Sequence, residues 1–94
     1  MKLKLLIFLD RIDFLEKLEG ITRTGKNEFT LECPPEKIRI DGTGAPSVQG
    51  LLKYLHIPIE LDLTFVIVNK KIIFKDIILN DNDEVEFLPS ISGG

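Results

Sequence analysis

An α+β fold, with one helix laid across a mixed sheet of four to five strands, follows from three patterns in this 94-residue sequence. Residues 2–9, KLKLLIFL, place Leu3, Leu5, Ile7 and Leu9 on one side and Lys2, Lys4, Leu6 and Phe8 on the other, the two-residue period of a strand. Residues 48–55 carry Val48, Leu51, Leu52 and Leu55 at i, i+3, i+4 and i+7, a helical stripe. The runs FVIVNKKIIF and EVEFLP then supply a hairpin signal and a last strand.

Between these, DRIDFLEKLEG spaces Ile12, Leu15 and Leu18 for a short helix or helical turn, with Gly20 as its stop. The next strand is Glu28 to Cys33, with Phe29 and Leu31 opposed to Thr30 and Glu32, and Pro34-Pro35 closes it. Ile38 and Ile40 alternate with charged neighbours and suggest an extra short strand before the loop DGTGAP. Ser47 is the best N-cap of the main helix and Pro58 its stop. Gly50 weakens that helix by roughly 1 kcal/mol against alanine, so packing must hold it. Asn69-Lys70 forms the hairpin turn without a glycine, which puts lysine at positive φ. In the last strand Val85 and Phe87 face inward, and Glu84, Glu86 and Leu88 face outward.

Composition narrows the function classes. A net charge of −3 lacks the concentrated basic surface that nucleic acid requires. No apolar run approaches the roughly 20 residues of a membrane span. The lysines and apolar run at the N-terminus lack a signal-peptide cleavage site, so they read as a first strand in a cytoplasmic protein. The single cysteine, Cys33, excludes an internal disulfide and reads as a half-buried strand thiol. One domain is expected over residues 1–94, with a flexible tail from 89 to 94.

No catalytic constellation is legible. His56, the one histidine, sits near the helix end and has no second histidine for a metal site. The stretch DNDE lacks the ligand spacing and glycine of a calcium loop. Gly42 to Gly44 lack the lysine and remaining glycine of a phosphate loop, and Ser90 and Ser92 have no general base. The chain is therefore expected not to be an enzyme and to bind no metal or cofactor. Attention falls on Ser92-Gly93-Gly94, because a carboxylate on two glycines can thread a narrow channel and be activated by another enzyme's ATP.

The run VNKKIIFKDIILNDNDEVEFLPSISGG closely resembles the C-terminal part of the small subunit of molybdopterin synthase, in the ubiquitin-like sulfur-carrier family. Members of that family open a turn with Val-Asn, place a Leu before DGDEV, and follow an apolar strand with Pro-Pro and a terminal Gly-Gly. Val68-Asn69, Leu79, DNDEV, Leu88-Pro89 and Gly93-Gly94 match. Asn82 stands for the turn glycine, Ser90 for the second proline, and Glu36 to Ala45 are an insertion.

The resemblance implies a β-grasp fold and a thiocarboxylate formed at Gly94. It implies an E1-like adenylating enzyme that consumes ATP, and the synthase large subunit as a partner. In that fold the first and last strands adjoin, which would set Lys2 and Lys4 near Glu84 and Glu86, and Leu6 and Phe8 near Leu88. An exposed apolar patch of that kind is expected to be the partner-binding face unless the insertion folds over it. A carrier for thiamine, tRNA thiolation or amino-acid synthesis, a ubiquitin-like modifier, and a plain β-grasp binding domain are the alternatives.

Overall fold

The computed structural model describes residues 1–9, 12–40, 44–57 and 64–89. Six strands are formed: β1 Lys2–Ile7, β2 Ile21–Arg23, β3 Glu28–Glu32, β4 Thr64–Val68, β5 Lys71–Ile73 and β6 Glu84–Pro89. They build one mixed sheet in the order β2-β3-β1-β6-β4-β5, in which only β1 and β6 run parallel. Strand alternation divides the residues cleanly. Leu3, Leu5, Ile7, Phe29, Leu31, Val66, Val68, Val85 and Phe87 are buried on one face. Helix α1, Val48–Leu55, adds Val48, Leu51, Leu52 and Leu55 to the same core.

The sheet has one more strand than the sequence suggests. Ile21–Arg23 is too short to show a period of its own, and its pairing with β3 comes from the chain reversing through Thr24 to Asn27. Arg23 fixes that reversal. Its guanidinium donates to the carbonyls of Gly25 (3.2 Å) and Lys26 (2.6 Å), reaches Asp13 at 3.1 Å, and lies 5.2 Å from the centre of the Phe29 ring. Asp13 belongs to the 3₁₀ turn Asp13–Lys17, where the sequence suggests a helical turn; Ile12 and Leu15 are buried beneath it. Gly20 ends this segment at φ +82, with Glu32 O lying where a Cβ would stand.

The extra strand suggested at Ile38 and Ile40 is not formed. Pro35 sets a second 3₁₀ turn, Pro35–Ile38, which drives Ile38 into the core and packs its backbone against α1. A Cβ on Gly50 would lie 1.8 Å from the Ile38 carbonyl oxygen, so the glycine that weakens the helix is what lets the insertion approach it.

An eight-residue helix is marginal alone, and its ends show how it is held. Ser47 Oγ accepts from the Gly50 amide at 3.2 Å, as its sequence position predicts. The Val48 amide donates to Ile77 O and the Gln49 amide to Asp76 Oδ1, which ties the helix start to the chain leaving β5. At the other end His56 takes φ 57, and the His56 and Ile57 amides bond back to Lys53 and Leu52. Pro58 lies outside the described residues.

In the β4–β5 turn Asn69 and Lys70 have φ 50 and 73, the two-residue turn that suits strand twist, and lysine does stand at positive φ. The structure yields two stability expectations. Gly50→Ala should lower stability in urea unfolding by about 1–3 kcal/mol through overpacking, against a helix-propensity gain of only ~1 kcal/mol; a net gain would contradict the close contact. Lys70→Gly should raise stability by about 0.5–1 kcal/mol, since the strained φ is relieved and the exposed Lys70–Glu84 pair is worth little.

Candidate functional site: the open face of the sheet

The helix covers one face of the sheet, and the site lies on the other. β1 and β6 pair in the register Lys4↔Glu84, Leu5↔Val85, Leu6↔Glu86 and Ile7↔Phe87. Past the last pair, the Phe8 amide donates to Phe87 O at 3.0 Å, which sets Phe8 beside the end of β6. Leu6 and Leu88 are half-buried and Phe8 is 43% exposed. On the far side of β6, Leu88 pairs with Phe65, and the row through Glu86 continues to Ile67 and Ile72. Phe65 is 46% exposed. The apolar patch thus spans four strands, wider than Leu6, Phe8 and Leu88.

Phe65, Ile67 and Ile72 escape a sequence reading because FVIV and KIIF are apolar on both faces. Their opposition to buried Val66 and Val68 is the signal, and it becomes legible only once β4 is set beside β6. The described part of the insertion does not cover the patch. Ile38 and its carbonyl are engaged with α1, and the Ser47 amide donates to that same carbonyl, all on the helix side of the sheet.

The charges around the patch differ in part from expectation. Lys4 does stand opposite Glu84 in register, but its ammonium reaches Glu28 across the antiparallel β1–β3 pair at 3.4 Å. Glu84 instead lies 3.9 Å from Lys70 in the neighbouring hairpin. Lys2 pairs with Glu32 in register, and its backbone amide donates to Asp81 Oδ1 at 2.6 Å. Glu28 stands opposite Leu6, diagonal to Lys4 on the same face, a separation that a long lysine side chain spans.

The acidic turn is structural. Asp83 accepts from the Asn80 amide and from Asn69 Nδ2, Asn69 Oδ1 accepts from the Glu84 amide, and Asn82 takes φ 69, a backbone conformation that asparagine tolerates. Among the described residues no group of three or more His, Cys, Asp or Glu side chains could hold a metal ion. His56 is exposed at the helix end. Cys33 is half-buried, its thiol pushed up by burial, and its carbonyl accepts from the N-terminal amine at 2.9 Å. Of the residues 42–44, Gly44 has φ +77 and the other two lie outside the described residues, as do Ser90, Ser92, Gly93 and Gly94. Pro89, where the expected tail begins, closes β6 opposite Thr64.

One helix on a mixed sheet whose first and last strands run parallel at its centre defines a small β-grasp protein. The ThiS family model matches residues 29–94, from β3 onward, and the chain belongs to that family of ubiquitin-like sulfur carriers. Its general role is accordingly that of a sulfur carrier. Such carriers are in general non-catalytic, and they typically work with E1-like adenylating enzymes and further partner enzymes. Comparison with curated proteins gives no match, and comparison with solved structures gives none. No helix among the described residues is long and apolar enough to cross a membrane.

The polar margin can be tested by titration. The Thr24 hydroxyl, first, and the Lys4 ammonium, second, hold the Glu28 carboxyl below its ordinary value. A lowered folded-state value means that this contribution to stability is present above the ordinary glutamate range and fades as pH falls through the lowered one. Carboxyl NMR titration should show Glu28 ionising more acidly than a free glutamate, and Thr24→Ala and Lys4→Met should each move it upward. No upward movement in Thr24→Ala would show that the hydroxyl does not hold the carboxylate.

Proposed function

We propose that this chain is the sulfur-carrying, non-catalytic small subunit of a molybdopterin synthase, with Gly94 as the atom-bearing end. The observation that carries this reading is the position of β6. That strand is hydrogen-bonded between β1 and β4 to Pro89, and only five residues, 90–94, separate it from the glycine carboxylate. Five residues span at most about 17 Å, so a partner that seats the open face receives Gly94 within a bounded radius. Leu6, Phe8 and Leu88 at the mouth of that segment form the docking face for the large subunit, with Phe65 extending it.

The chemistry is borrowed from partners. A carboxylate resists nucleophiles; on the E1-like enzyme its oxygen attacks the α-phosphorus of ATP, pyrophosphate leaves, and a mixed anhydride results. A hydrosulfide equivalent adds to the carbonyl, and AMP departs with the former carboxylate oxygen. The product is a thiocarboxylate with one sulfur in place of one oxygen. Glycine leaves the carbonyl unhindered, and Gly93 and Ser92 let the end enter a channel. In the large subunit the sulfur passes to the pterin precursor. The carrier itself binds no cofactor, since ATP is consumed by the activating enzyme.

Length and the Pro-containing approach to Gly-Gly, Leu88-Pro89, favour this client over thiamine synthesis. Intact-mass measurement after incubation with ATP, an E1-like enzyme and a sulfur donor should show oxygen replaced by sulfur at Gly94. Deleting Gly94 should abolish it. Phe8→Asp and Leu88→Asp should lose the large subunit in a pull-down while keeping a folded amide spectrum. An unchanged mass beside a competent control carrier overturns the reading, and recovery of the chain linked to lysines makes it a modifier.

A further inference from the structure

A second surface lies at the β5 edge of the sheet, beyond β4 from the β1–β6 pair. β5 is an edge of the sheet, and no described strand pairs with its outer side. The two-residue turn makes Val68↔Lys71 the closing hydrogen-bonded pair, so alternation turns the Ile72 amide and carbonyl away from β4 toward open space. Beside this edge, on the helix side, runs a groove of about 250 Å³ floored by Val48 and Leu52 of α1 and by Ile73 of β5. At its rim stands Phe74, 90% exposed. The volume is below the ~300 Å³ at which small-molecule pockets begin, and it suits one bulky side chain.

The charges select the occupant. Lys71 shares Ile73's side of β5 by two-residue alternation, Lys75 lines the groove just past the strand's end, and neither forms an ion pair with another described residue. The nearest carboxylate in the groove, Asp76, is committed to the Gln49 amide at 2.9 Å. A second copy pairing edge to edge would bring Lys70, Lys71 and Lys75 of two chains together, which opposes self-association.

We infer that this edge and groove bind an extended peptide segment of a partner protein, with a large apolar side chain flanked by carboxylates. The segment pairs with the Ile72 backbone, seats its apolar residue against Val48, Leu52 and Ile73, and sets its carboxylates near Lys71 and Lys75. This surface adjoins the open face and shares Phe65 and Ile72 with it, but its groove is walled by Val48 and Leu52 of α1, which lie on the helix side, so either reading can fail without the other.

The test uses the isotopically labelled full chain titrated with the acetylated peptide Glu-Asp-Val-Phe-Val-Asp-Glu, and with a counterpart carrying lysines at its acidic positions. The acidic peptide should shift the amides of Ile72, Ile73 and Phe74 and the methyls of Val48 and Leu52. The double variant K71E/K75E should weaken binding by about tenfold or more while its spectrum stays folded. Ile72→Pro, which removes an outward-facing donor, should also weaken it. Shifts confined to Leu6, Phe8 and Leu88, equal binding by the lysine peptide, no shifts at all, or concentration-dependent self-association at β5 in sedimentation would each overturn the inference.

Discussion

The parallel pairing of β1 with β6 is the constraint on which the other features rest. Lys4 to Ile7 hydrogen-bond along Glu84 to Phe87, joining segments separated by nearly the whole described chain. This pair occupies the middle of the sheet, so the two antiparallel hairpins, β2–β3 and β4–β5, can only flank it. Leu5, Ile7, Val85 and Phe87, all fully buried, make the same pair the floor on which the helix lies. Remove that pairing and each hairpin is left with one apolar face and nothing to cover it, a marginal state for two strands in water.

The two faces of the sheet solve different problems with the same strands. On the inner face the cost of ordering is met by apolar burial; among the described residues Ser47 is the one buried polar residue, and it caps the helix, while Arg39 keeps a buried Nε without a hydrogen-bond partner. The outer face mixes ions with half-buried and exposed hydrophobes. Lys4–Glu28 and Lys70–Glu84 are solvent-exposed and contribute little energy, but they ring the patch and keep its polar margin wetted. An apolar centre with a charged rim is the anatomy expected of the docking face proposed above.

How much of this was legible in the sequence varies with the range of the interaction. The helix, its Ser47 cap, the inward residues of β1, β3 and β6, and the strained Asn69-Lys70 turn follow from local period and local chemistry. Two elements did not. β2 is three residues long and exists because Arg23 gathers two carbonyls and an acidic turn around it, partners that no periodicity announces. Ile38 and Ile40 alternate as a strand does, yet Pro35 and the close approach that Gly50 permits favour a turn that sends Ile38 into the core, a tertiary decision. For the candidate site, the outward positions of Leu6, Phe8 and Leu88 could be read from alternation, whereas Phe65 and Ile72 needed the strand order. The partner of Lys4 needed the register itself.

The central parallel pair also sets a clock on the molecule's birth. Pairing of the first strand with the last has high sequence separation, and loop closure over that distance comes late. During synthesis β1 emerges early but cannot complete its sheet until β6 has left the ribosome. The open face, to which β6 contributes Glu84, Glu86 and Leu88, therefore does not exist on a nascent chain. A partner that recognises this face would meet only chains whose translation has run past β6, so the geometry of the sheet screens out nascent chains.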